Sequence, residues 1–223
     1  MELFDAIYTA RTMRRLKPDP VATELIAKIL DAGIRAGSAF NNQEWTFVVV
    51  TDPSRRAALA EIFRGGRQSV LDGYQKRVLP PHITAAENQS HLDAALYLID
   101  HFHEAPVIII PCLTKHRVSI PSLSPDEERA FELRLAGASI YPAIQNIILA
   151  CRAFGLGAVV TAYHLTCEDK VKRALEIPDE VMTFAMIPIG YPMDEFRRVT
   201  RKPVRKVAFL DRWGGAWPGQ SPE

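Results

Sequence analysis

The sequence predicts an α+β domain, and three observations predict it. Helix-spaced and strand-like segments alternate along the 223 residues, with helix in excess. The strand-like runs are short, β-branched and apolar, as strands covered on both faces are. One segment, from Ser124 to about Gly155, turns apolar on nearly every side after Ile140, which marks a buried central helix rather than a surface one.

The elements follow in order. "ELFDAIYTAR" keeps Leu3, Ile7 and Ala10 at helical spacing. "PVATELIAKILDAGIRAG" opens on Pro-Val and carries Val21, Leu25, Ile29 and Ala32 as a buried stripe that ends near Gly37. "EWTFVVVTD" predicts a strand, and "DPSRRAALAEIF" restarts a helix. "APVIIIPCL" and "VMTFAMIPIGYP" predict two further strands, each closed by proline, and "GAVVTAYHL" a fourth. Ser124, Pro125 and acids at 126 to 128 are a strong helix start, and Pro142 is expected to kink or break the helix they begin.

Residues 64–104 fit no strand pattern and read as an insertion, a lid over a site. The tail, 197–223, carries two tryptophans and cannot pack on itself. It either wraps a neighbouring subunit or forms a loosely ordered terminus. There is no internal repeat, so 1–223 reads as a single domain.

Composition excludes several classes. Lys plus Arg is 27 against 26 for Asp plus Glu, a formal charge of +1, which favours neither nucleic acid nor a membrane surface as partner. The apolar runs are far shorter than the ~20 residues that span a bilayer. The N-terminus has an early acid and no signal-peptide pattern. Cys112, Cys151 and Cys167 have no zinc or redox spacing, which reads as a reducing compartment, and a cytoplasmic protein is expected. His101 and His103, two apart on a helix, point to different faces, so no metal is expected.

Dinucleotide, P-loop, nucleophile-elbow and zincin motifs are all missing. Two polar islands remain. One is "RTMRR", residues 11 to 15. Its bland reading is a solvated basic turn. The other is "AGSAFNNQEW", residues 36 to 45, between a helix end and a strand. It can offer Ser38, Asn41 and Gln43 to a ligand, or be no more than a capped helix end.

The order of these pieces resembles the FMN-dependent nitroreductase family. The R-x-x-R of Arg11 and Arg14, Pro-Val opening a helix, then Ser38, Ala39, Asn41, Gln43 and Trp45 running into "FVVV" all match. The likeness continues through "AIQNIILACRAFGLGAVVT", "IPIGYP" and the Arg-x-Pro of "TRKPVRKV". It implies a nitroreductase-like fold: a mostly antiparallel mixed sheet flanked by helices, with a buried central helix and a C-terminal arm reaching the partner subunit. It implies a homodimer with FMN at the interface.

Residue by residue, it implies that Arg11 and Thr12 bind the flavin phosphate side, joined by Arg201. It places Arg14 at the ring's N1 edge, where a cation favours the reduced flavin. Ser38, Ala39, Asn41 and Gln43 match the loop on the ribityl chain and pyrimidine edge. Val160, Thr161 and Ala162 match the strand end beside the ring, whose N–H groups approach N5. The chemistry is carried by FMN, with no catalytic protein acid or base assigned and Arg14 as electrostatic support. Ping-pong transfer is implied, from NADH or NADPH to a small-molecule acceptor such as a nitroaromatic or quinone. Reductive dehalogenation, enone reduction, flavin cleavage and a non-catalytic flavin-binding role are alternatives on the same fold.

The chain departs from the family pattern at Ala10, Leu16, Phe40 and Glu44, where an arginine, an aromatic, a glycine and a proline are common. Tyr163, His164 and parts of the insertion are candidates for the substrate side.

Overall fold

A computed structural model of the chain describes residues 1–114 and 121–219. β2 (Val107–Thr114) is the centre of it, buried from its first residue to the last but one. Its side chains alternate between two cores, as the two-residue period of a strand dictates. Val107, Ile109 and Leu113 join Ile140, Ile144 and Ile147 on one face, whereas Ile108, Ile110 and Cys112 join Leu59, Phe102 and Val171 on the other. Both faces are covered, so the run reads as continuously apolar.

The sheet order is β1 (Trp45–Val50), β2, β5 (Ile187–Gly190), β3 (Gly157–Ala158), with β4 (Val181–Thr183) also on β2. Every ladder is antiparallel, and the parallel component is the bridge from Thr12 to Ala158. On one side lie α2 (Thr23–Gly33) and α6 (Pro125–Ala153). On the other lie α3 (Pro53–Arg64), α5 (Ala85–Asp100) and α7 (Glu168–Leu175). α1 (Leu3–Thr9) meets the C-terminal end of α6 through Arg152, whose Nε donates to Thr9 Oγ1 at 2.7 Å. The α+β expectation is therefore met.

The helix starts are chemically explicit. Asp52 accepts from Arg55 N–H ahead of Pro53 to open α3. Thr84 with Glu87, and Ser124 with Glu127, close capping boxes on α5 and α6. α2 and α6 approach so closely that a Cβ on Gly33 would lie 2.8 Å from Ile147 Cγ1.

Several elements differ from expectation. "VMTFAMIPIGYP" is two strands, because Phe184, Ala185 and Met186 leave the ladder between β4 and β5. Pro111 lies inside the central strand rather than closing it, opposite Phe47 of β1. Its carbonyl accepts from Phe184 N at 3.0 Å, so its missing N–H falls on the interrupted side of the sheet. "GAVVTAYHL" forms only the two-residue β3, a bridge at Thr161, and a tight turn over Tyr163–Cys167. α6 runs unbroken across Pro142. It is also only half buried in this chain. Ile140, Ala143, Ile144, Ile147 and Cys151 face the core, while Phe131, Leu133 and Tyr141 stand exposed.

The insertion is helical, with α4 (Arg67–Lys76) packed against α5. Tail residues 191–199 are stitched to the N-terminal segment by Lys17 N–H to Tyr191 O, Met193 N–H to Arg15 O, and Val199 N–H to Tyr8 O. Beyond them Val204, Val207, Phe209, Leu210, Trp213 and Trp217 are exposed. The last four residues of the expected arm lie outside the described residues.

Candidate functional site

The basic segment is positioned by backbone pairing. Met13 N–H donates to Ala158 O at 3.0 Å beside the Thr12–Ala158 bridge. Met13 and Leu16 point into a small core with Ala105, and Phe196 packs on it, which turns Thr12 and Arg14 away from that core, and Arg11 is exposed. The bridge is not continued: Leu16 pairs with Pro192, and a Cβ on Gly157 would meet both Leu16 and Met13 at 2.9 Å.

Arg14 is half-buried and makes no hydrogen bond or ion pair with a described residue. Burial holds its guanidinium below the usual value. The nearby Tyr74 of α4 opposes that shift and the Arg11 cation adds to it. Arg14, partly desolvated, has no carboxylate partner among the described residues, whereas Arg11 lines a cleft with Asp93, Asp194 and Glu195. That donor set fits a phosphomonoester, which takes charge-assisted and bidentate bonds from arginine.

The chain that continues from Ala158 offers backbone donors. Val159 N–H donates to Pro188 O and Thr161 N–H to Met186 O at 3.0 Å. The Thr161 N–H is thus used within the sheet. Those of Val160 and Ala162, both exposed, donate to no described residue. The structure thus joins the segment carrying Arg11, Thr12 and Arg14 to Ala158, from which the chain continues to Val160, Thr161 and Ala162.

The loop does not join them. Ser139, a buried serine midway along α6, accepts from Ala39 N–H at 3.2 Å, and Ser38 Oγ accepts from Gln43 N–H at 3.0 Å. Asn41 Oδ1 accepts from Gln43 Nε2 at 3.3 Å. Ser139, which holds the loop, and Arg152, which holds the end of α1, are thirteen residues apart on α6, about 20 Å along its axis. Within one chain Ser38, Ala39, Asn41 and Gln43 thus stand apart from Arg11 and Arg14. Arg201 is exposed, two residues beyond the Val199–Tyr8 hydrogen bond, and donates locally to Thr200 O.

The loop is strained. Phe40, Asn41 and Gln43 have φ of 53°, 56° and 54°. Each left-handed non-glycine residue costs about 1 kcal/mol. The glycine common in the family at Phe40 would adopt that φ freely.

Sequence reasoning missed Ser139 and Tyr74. Ser139 left a signal, the one serine inside an uncharged helical run, whereas Tyr74 left none. Arg15 is exposed and stacks over Tyr97 at 5.0 Å. With Arg11 it lines a cleft of about 570 Å³ against Asp93 and Tyr97 of α5. Cys112 and Cys151 are core thiols, pushed up to about 12 by burial. Among the described residues no group of three or more side chains could hold a metal, and no helix is long and apolar enough to cross a membrane.

Tyr163 and His164 do not line the site in the way expected. Tyr163 is half-buried against Phe63 and Gly66. His164 is buried, its Nε2 3.0 Å from Thr183 Oγ1, and Thr183 in turn donates to Glu168, which Lys172 approaches at 3.6 Å. Burial pushes the His164 pKa down to about 4, with Glu168 opposing. The unfolded chain, titrating near 6.5, binds more protons between the two values. Stability from this residue is complete above about pH 6.5 and is lost as pH falls through 4, by about 3 kcal/mol. Urea midpoints from pH 4 to 7 are expected to show that slope, and His164→Asn to flatten it.

A model of the nitroreductase family matches residues 7–191. The chain belongs to the nitroreductase family. An NADH dehydrogenase of Thermus thermophilus is 30% identical over 212 residues, covering 88% of this chain and 90% of its own. Two solved structures share the fold of this nitroreductase-family chain. A BluB-like flavoprotein from Clostridium difficile 630 has a TM-score of 0.69 at 21% identity, covering 95% of this chain and all of its own, 100%. An iodotyrosine deiodinase bound to FMN and 3-iodo-L-tyrosine has a TM-score of 0.66 at 20% identity, covering 90% and 95%.

Proposed function

We propose that this nitroreductase-family protein is an FMN-dependent oxidoreductase that passes electrons from NADH or NADPH to an electron-poor acceptor such as a nitroaromatic or quinone. The observation that carries the reading is Arg14, partly buried, under the influence of the Arg11 cation and without a carboxylate partner among the described residues, on a segment bridged to Ala158 just before the open N–H groups of Val160 and Ala162. Family membership and the Thermus relative support an oxidoreductase.

Arg11 and Thr12 hold the phosphate, with Arg201 closing from the C-terminal segment. Arg14 sets a positive charge at the edge of the bound ring. Because it is partly desolvated, its field there is screened less than that of an exposed cation. Val160 and Ala162 present donors to the ring's other edge. Ser38, Asn41 and Gln43 come from a second copy of the chain, since one copy holds them too far from Arg14 to serve the same ligand. α4 and α5 limit access of water and acceptor. FMN bound there would supply two-electron redox chemistry between the nicotinamide and the acceptor. A cytoplasmic homodimer completes this reading.

The test is spectroscopic. Purified protein loaded with FMN is expected to lose its visible flavin absorbance under anaerobic NADH or NADPH and regain it on addition of a quinone or nitroarene. Loss without recovery by any acceptor would leave a flavin store instead of an enzyme. Recovery only with a halogenated phenol would favour the dehalogenase alternative, for which the fold shared with the deiodinase is the support.

A further inference from the structure

His164 is a buried polar residue whose hydrogen bonding is only half met. It is 1% exposed, its Nε2 lies 3.0 Å from Thr183 Oγ1, and its Nδ1 has no partner among the described residues. The surrounding bonds assign the ring proton. Glu168 Oε1 accepts from both the N–H and the hydroxyl of Thr183, each at 2.8 Å. The Thr183 proton is thereby committed to a carboxylate, so Thr183 Oγ1 accepts from His164 Nε2–H. Nδ1 is left as a buried acceptor without a donor. Such a group costs stability, and an apolar residue of similar shape would not incur that cost. Stability alone does not account for a histidine here.

The backbone shows what the Nε2–H bond does. Ala162, whose N–H is open, lies between two ties to one short segment. Ahead of it, Thr161 N–H donates to Met186 O at 3.0 Å and Met186 N–H returns to Thr161 O at 2.8 Å. Two residues after it, His164 is tied to Thr183. Thr183 and Met186 bracket Phe184 and Ala185 in the gap between β4 and β5, and Phe184 N–H fastens that gap to Pro111 O of β2. Thr183 is also held from α7, where Lys172 lies 3.6 Å from Glu168. A peptide fixed on both sides cannot turn its N–H away without breaking one of these bonds.

We infer that His164 is a positioning residue for the flavin ring, its Nε2–H bond to Thr183 holding the turn after Ala162 so that the Ala162 N–H stays aimed at the ligand. The inference rests on the proposed flavin site. It adds that the aim of this donor is set from behind, through His164, Thr183 and Glu168.

The experiment measures FMN and riboflavin affinity by fluorescence quenching at pH 7 in the full chain, in His164→Leu and in His164→Gln, with thermal melts of each. His164→Leu removes the donor and the bare Nδ1 together, so its melting temperature is expected to stay close to that of the wild type. Its affinity for both flavins is expected to fall about tenfold, the worth of one hydrogen bond, with the ratio of the two unchanged because the phosphate contacts lie elsewhere. His164→Gln returns an N–H near the place of Nε2 and is expected to bind within about threefold of wild type. Thr183→Val cuts the same bond from its other end, is expected to lose as much, and serves the test where His164→Leu does not fold. Wild-type affinity in His164→Leu and Thr183→Val, an equal loss in His164→Leu and His164→Gln, or a loss confined to FMN would overturn the positioning role and leave the flavin site standing. A wild type that binds neither flavin would overturn the site itself and the inference with it.

Discussion

Gly66→Ala is expected to destabilise the protein by about 3 kcal/mol, lowering the melting temperature by roughly 8 °C. The cause is space, not backbone freedom. Gly66 has φ −87° and ψ −2°, which alanine adopts readily, yet a Cβ there would lie 1.7 Å from Tyr163 Cε1. The obstacle is a ring, packed edge-on against Phe63 at 6.4 Å between centroids, and it cannot swing aside like the tip of a lysine. Either α4 lifts from its N-terminus or Tyr163 is displaced. Tyr163 begins the turn that follows Ala162, so the second response moves the donors assigned to the flavin ring. Flavin affinity should therefore fall along with stability. In the double variant with Tyr163→Ala the two losses should be clearly less than additive, since removing the ring removes the clash. Thermal melts and FMN titration of the four proteins measure both effects.

Arg14→Ala is expected to weaken FMN binding about 30-fold, and Arg11→Ala by a comparable factor. A hydrogen bond to a charged group contributes about 1.5–3 kcal/mol, and neither arginine has another described partner to which it is committed. The two should differ in kind. Arg11 acts on the phosphate, so its loss should weaken FMN and leave riboflavin unaffected. Arg14 acts at the ring, so its loss should weaken both ligands. It should also lower the flavin midpoint potential, because the cation favours the electron-rich reduced form. Fluorescence titration with the two flavins and a spectroelectrochemical titration separate these roles.

How much of this was legible in the sequence depends on what each element answers to. β1, β2 and the start of α6 follow from local chemistry: β-branched runs, and a serine followed by proline and acids. The split of β4 from β5 does not, because it depends on what β2 can pair with. β2 bonds Val181–Thr183 and Ile187–Ile189 but carries Pro111 between, and no pattern within 181–192 announces that gap. β3 is short for a similar reason. After Ala158 its neighbours are met in single bridges, not in a ladder.

Apolarity of α6 was plain, but apolarity does not say whose core it enters. One face meets β2 and the other faces outward in this chain. Of the candidate site, the residue types were readable and their placement was not. The segment carrying Arg11 and Arg14 is tied to Ala158, just ahead of 160–162, through pairing of Met13 with Ala158. Ser38, Asn41 and Gln43 lie elsewhere because Ser139 holds their loop to the middle of α6. Only a structure distinguishes a site made by one chain from one that needs two.

The central claim is that the chain holds a flavin through its phosphate at Arg11 and through its ring edge at Arg14. The affinity of the purified chain for FMN relative to riboflavin tests it most directly, by fluorescence quenching at fixed low salt and protein concentrated enough to associate. FMN is expected to bind at least 30-fold more tightly than riboflavin, with the margin shrinking to a few-fold in Arg11→Ala. Equal affinity for the two flavins, or no binding of either, would contradict the account.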